Sequence, residues 1–165
     1  MIHRSVLTMM AIGAVGLCAS SIARADEVLK FRAILHANSV QSQEVGDVDG
    51  HVFSVGRFSG LASFPDGSVG TTYFTAETDY IKGSGTSLVY HNLTLKDGSE
   101  LWYKVTVAVK LEGTTTIFLE SPVTVLGGKG RFEGAKGDGT LSGQRLAPLA
   151  TGADNYLDIA INVKK

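Results

Sequence analysis

The run Leu101-Trp102-Tyr103-Lys104-Val105-Thr106-Val107-Ala108-Val109-Lys110-Leu111 decides how this chain folds. Leu101, Tyr103, Val105, Val107, Val109 and Leu111 share one parity, while Trp102, Lys104, Thr106, Ala108 and Lys110 share the other. Successive side chains of a strand point to opposite faces, so this alternation gives one face to a core and the other to water. A helix would scatter the same residues around its circumference. Residues 155–163 repeat the pattern, with Leu157, Ile159, Ile161 and Val163 set against Tyr156, Asp158, Ala160 and Asn162.

Outward from these two runs lie six further strand candidates, at 28–36, 51–64, 69–81, 86–95, 115–125 and 131–146. They are separated by Asp49-Gly50, Asp66-Gly67, Gly83-Ser84-Gly85, Asp97-Gly98, Glu112-Gly113 and Gly127-Gly128, which supply the positive φ values of tight hairpins. No window after Asp26 holds a 3.6-residue apolar period. Eight strands with short connections predict an all-β chain, an eight-stranded antiparallel up-and-down β-barrel, because closure removes the exposed edges of a meander. Residues 38–50, polar and mildly acidic, and 147–154, with Pro148, read as loops over the barrel mouths. An interior of this size either fills with side chains or holds one small ligand.

The 165 residues are 44% apolar and 19% charged, with 20 glycines and 3 prolines, which fits globular packing and excludes disorder or collagen. Residues 1–25 have the order of a secretory signal peptide: basic Arg4, an apolar run from Val6 to Cys18, then Ala23-Arg24-Ala25 before a cleavage site at Asp26. The apolar run of about 13 residues is short of the roughly 20 that span a bilayer, so the mature chain is expected to have no membrane span. The expected division is therefore a leader at 1–25 and one barrel domain at 26–165, exported to the periplasm or the medium. The 15 basic side chains less Arg4 and Arg24 leave 13 against 16 acidic, a net charge of −3, which gives no field for nucleic acid. The single cysteine, Cys18, leaves with the leader, so no disulfide, thiolate metal site or cysteine nucleophile is expected. Disulfide-free export fits a bacterial envelope, and Asn92-Leu93-Thr94 then matches the glycosylation triplet by coincidence.

Leu126-Gly127-Gly128-Lys129-Gly130-Arg131-Phe132-Glu133-Gly134-Ala135-Lys136-Gly137-Asp138-Gly139 is the most informative motif. A phosphate cradle would need a helix to follow, and residues 140–146 show no helical period. The stretch reads instead as a tight turn at Gly127-Gly128 feeding a strand whose glycines permit bending or close approach. Phe132 is expected to plug the core.

At these residues the chain resembles the allene oxide cyclase and dirigent barrels, in which a Gly-Gly-x-Gly-x-Phe-x-x-Ala-x-Gly turn and strand recurs. Phe132-Glu133-Gly134-Ala135 matches the cyclases, and Val55-Gly56-Arg57-Phe58-Ser59-Gly60 looks like an early strand of dirigent proteins. The resemblance implies an eight-stranded antiparallel barrel, often a homotrimer or other homo-oligomer, whose apolar cavity steers the cyclisation or coupling of an unsaturated lipid or phenolic intermediate. Steering is an orientation effect and needs little side-chain chemistry. The cyclases carry a glutamate on the first strand and a cysteine soon after a Gly-Leu pair. Here residues 30–36 contain no acid and Gly60-Leu61 is followed by Ala62, so allene oxide cyclase activity itself is not expected.

His36, His51 and His91 lack metal-ligand spacing, so no metal is expected, and no cofactor is implied. No Gly-x-Ser-x-Gly elbow precedes a helix. Glu77 and Asp79 share a strand face with Tyr73 and Thr75, which reads either as a wet face or as two close carboxylates available as an acid and base pair. Glu120 shares the parity of Phe118, and Arg131 across the next turn is its expected partner, an arrangement that would fix register or do chemistry. Trp102 shares its face with two lysines and is expected outside. The aromatic side chains expected to line a cavity are Phe31, Tyr73, Tyr103, Phe118 and Phe132, and Glu120, Tyr103 and Tyr73 are the polar groups available to catalysis. Three functions remain open: a small barrel binding an apolar or aromatic molecule, a cyclase or isomerase acting by steering, and a non-catalytic envelope interaction protein with a filled barrel.

Overall fold

Glycine-punctuated alternation becomes eight strands in the computed structural model, which describes residues 26–147 and 154–164. The expected leader at 1–25 lies outside the described residues. The strands are β1 (Glu27–Glu44), β2 (His51–Ser63), β3 (Val69–Ile81), β4 (Ser84–Thr94), β5 (Glu100–Glu112), β6 (Thr115–Lys129), β7 (Lys136–Arg145) and β8 (Asn155–Lys164). Each pairs antiparallel with the next, and β1 pairs with β8, so the expected up-and-down barrel is closed. Among the described residues no helix is long and apolar enough to cross a membrane.

Cross-strand register stacks the inward side chains in layers. Leu35, Gly60, Thr72, Leu93 and Leu101 face one another in sequence across β1 to β5. The next layer runs Ala37, Phe58, Phe74, His91, Tyr103 and Val125 across β1 to β6. A slip of one residue in any pair would turn its apolar set to water, so burial fixes this register.

Two expectations about boundaries are corrected. The segment 38–50 is not all loop, because β1 runs on to Glu44 and pairs with β2 as far as Glu44 opposite Val52. Its polar composition suggested a connection, but a register shift between Ala37 and Ser39 lets Val40 pack on the core. Ser42 also accepts a 2.8 Å hydrogen bond from Ser54 there. The strand expected over 131–146 starts at Lys136, and the turn lies beyond Gly127-Gly128, which still belong to β6, as a single 3-10 turn over Gly130–Phe132. Gly130 takes φ +64°, which favours glycine. At Gly128 a side chain would collide with the Glu100 carbonyl and with Phe132. Phe132 is fully buried and closes this end of the barrel.

The two ends differ in chemistry. Around Phe132 the interior is mainly apolar, with Leu93, Leu101 and Val163 fully buried, Phe31 against Phe64 at 5.3 Å between ring centroids, and Thr72 and Ser99 as its buried polar side chains. At the opposite end, where β1 joins β2 and β3 joins β4, Ser54, Ser87 and Asn155 are buried and Tyr80 is half-buried.

Candidate functional site

A cavity of about 40 Å³ opens at the polar end. Its floor is the aromatic layer, built because Phe58, Phe74 and His91 are register partners on β2, β3 and β4. Phe58 stacks on Phe74 at 4.4 Å, Phe74 leans on His91 at 4.9 Å, and His91 stacks on Tyr103 at 4.6 Å with an 8° interplanar angle. Ala76, Val89, Val107, Leu141 and Leu157 form the walls. At the mouth stand Tyr80, Ser87, Phe118, Arg145 and Asn155. The space holds roughly three waters and falls far below the roughly 300–1,000 Å³ of a drug-sized ligand site.

Arg145 ends β7, opposite Asn155 on β8, and its guanidinium lies 5.8 Å from the Phe118 ring centroid. Its Nε is buried with no hydrogen-bond partner. Burial lowers its pKa from the usual arginine value, and the nearby Tyr80 side chain offsets this in part. No carboxylate forms an ion pair with Arg145 among the described residues, and residues 1–25, 148–153 and 165 carry no Asp or Glu side chain. Asp154, beside Asn155, is turned outward to His36 Nδ1 at 2.7 Å.

Two more residues that line the pocket carry a buried polar atom without a partner. His91 is 4% exposed with an unpaired Nδ1, and burial pushes its pKa down to about 3, so the ring is neutral. Asn155 is 2% exposed and its Oδ1 is unpaired. Tyr80 and Ser87 bind each other through their hydroxyls at 2.6 Å. Among the described residues no group of three His, Cys, Asp or Glu side chains could hold a metal ion, and no Asp or Glu is buried.

The residues singled out in the sequence scatter across the barrel. Phe118 stands at the pocket mouth. Tyr103 lies wholly buried behind His91; burial raises its pKa, and its hydroxyl and that of Thr72 both lack a well-formed hydrogen bond. Phe31 and Phe132 pack toward the other end, and Tyr73 is 43% exposed on the outer face. Glu120 is exposed, and Arg131 binds Glu27 at 2.9 Å instead. A bulge between Phe118 and Ser121 places Leu119 and Glu120 together outside, which breaks the parity that linked Glu120 to Phe118. Trp102 is outside, its indole N–H donating to Glu100 at 3.3 Å. Sequence reasoning missed Tyr80, Ser87, His91, Arg145 and Asn155 as a group. Parity held the signal, because His91 sits between inward Val89 and Leu93, and Arg145 and Asn155 share parity with Leu141 and Leu157.

No protein-family model and no curated protein sequence matches the chain significantly. Its fold is similar to that of GePTS1, described as a pterocarpan synthase dirigent protein. That likeness has a TM-score of 0.56 and 13% identity, and it covers 86% of each chain. A structure described as pyocyanin demethylase aligns at TM-score 0.48 and 16% identity, over 85% of this chain and 100% of that one. The chain is thus a closed barrel of the dirigent type in fold. At this identity the likeness defines architecture alone.

Proposed function

We propose that this protein is an exported barrel that binds one small aromatic molecule at its polar mouth. The observation that carries the reading is the pocket itself: apolar walls, an aromatic floor, and a lining that includes Arg145, His91 and Asn155, each of which holds a buried polar atom without a partner. Buried polar atoms in native proteins are ordinarily hydrogen-bonded, so three residues with an unpaired one around a single cavity favour a ligand that completes the site. Entry of a ring requires Tyr80 and Arg145, both long, half-buried and at the mouth, to swing aside. Export rests on the leader-like order of residues 1–25.

The small volume favours a second reading, a filled barrel whose outer surface does the work. Steering of a reactive intermediate needs the same pocket and no buried carboxylate. Mass spectrometry of the protein from its native envelope fraction, under native and then denaturing conditions, separates the first two. Binding predicts a small molecule released on denaturation. A protein empty in every preparation overturns binding in favour of the filled barrel.

A further inference from the structure

We propose that the pocket takes an anion, a single-ring aromatic carboxylate bearing a hydroxyl group, with Arg145 as its counter-charge. The inference rests on the reading of the barrel as a small-molecule site and deepens it. Among the described residues Arg145 is the one charged side chain lining the pocket. Its neighbours there are Phe118, Tyr80 and Asn155, and Asp154, the carboxylate next to Asn155, is engaged by His36 on the outside.

A guanidinium half-withdrawn from water without an anion is unfavourable, because the loss of hydration is not returned by an opposite charge. Its fork of parallel N–H donors matches the two oxygens of a carboxylate. The aromatic floor of Phe58, Phe74 and His91 suits a flat ring, and a cavity of about 40 Å³, which takes a ring only once Tyr80 and Arg145 swing aside, leaves no room for a second one. Asn155 Oδ1, buried and unpaired, accepts from a ligand hydroxyl, and neutral His91 offers either tautomer through Nδ1. Several outer basic residues are paired with carboxylates, Arg32 with Asp158, Lys129 with Glu100, Arg131 with Glu27 and Lys164 with Asp138, and those without one stand in water, whereas Arg145 is half-buried.

The test compares 4-hydroxybenzoate with 4-hydroxybenzamide, which differ chiefly in charge, by calorimetric titration of the full chain, Arg145→Gln, Arg145→Lys and Ala76→Phe. The wild type is expected to prefer the acid by about tenfold or more, as charge-assisted hydrogen bonds give. Arg145→Gln should bring the ratio near one, Arg145→Lys should keep part of it, and Ala76→Phe, which fills the cavity, should abolish binding of both. Should Arg145→Gln fail to fold, Arg145→Lys and the wild-type ratio still decide. Equal binding of acid and amide to the wild type, lost in Ala76→Phe, overturns the anion and leaves the small-molecule site standing. Binding of neither compound overturns the anion, and with an empty native protein the site as well.

Discussion

His51 and His91 are opposite uses of one side chain. His51 meets Asp79 through Nε2 at 2.7 Å and Asp47 through Nδ1, and these two carboxylates, Asp79 first and Asp47 second, raise its pKa by favouring the protonated ring. Stability from that clamp is fully present below the unfolded-state pKa near 6.5 and is lost as pH rises through the folded-state value. His91 is held neutral by burial, with a pKa of about 3. The unfolded chain therefore binds one more proton between about 3 and about 6.5, and stability falls as pH drops through that window. Thermal unfolding from pH 4 to 8 is expected to show His91→Phe gaining on the wild type as the pH falls below about 6.5. His51→Gln should lose most at pH 5 to 6 and converge with the wild type at alkaline pH. Parallel curves for both variants would contradict these assignments.

At the scale of the element, β6 shows how one extra residue moves chemistry from inside to outside. Ser121 is buried at the bulge, accepts from the Ala108 amide at 3.3 Å and donates to the Leu119 carbonyl at 2.8 Å. It thereby satisfies backbone groups that the interrupted ladder leaves over. Ser121→Ala should cost about 1–3 kcal/mol in denaturant unfolding, through the unsatisfied Ala108 N–H. Glu120→Gln, on the exposed side of the same bulge, should leave stability within about 0.5 kcal/mol. The strand's alternation from Ser121 through Val123 to Val125 was legible in the sequence. The bulge was not, because a register shift depends on the partner strands and leaves no local composition signal.

At the scale of the molecule, the barrel is apolar and plugged around Phe132 and polar around Arg145. Tyr103 belongs to the packed layer between these ends and is fully buried. Tyr103→Ala should therefore cost about 3–5 kcal/mol, as large aromatic deletions in cores do. Tyr103→Phe should be neutral or stabilising, because the hydroxyl it removes has no well-formed partner. Chemical unfolding of both variants checks the pair. A Tyr103→Phe loss as large as that of Tyr103→Ala would mean that the hydroxyl holds the interior together.

The alternation of Leu101 to Leu111 and of residues 155–163, with the glycine turns between strands, determined the all-β class, the strand number and the antiparallel order. Those features follow from local periodicity and turn chemistry, which a chain carries along its own length. Closure set which residues meet. His91, Arg145 and Asn155 are far apart in sequence and converge only because the strands of the barrel place them at one mouth. The outward turn of Glu120, the pairing of Arg131 with Glu27 and the continuation of β1 through its polar half are likewise tertiary decisions. Each depends on what lies across a neighbouring strand, where hydrogen bonding and burial outweigh the preference of the segment alone.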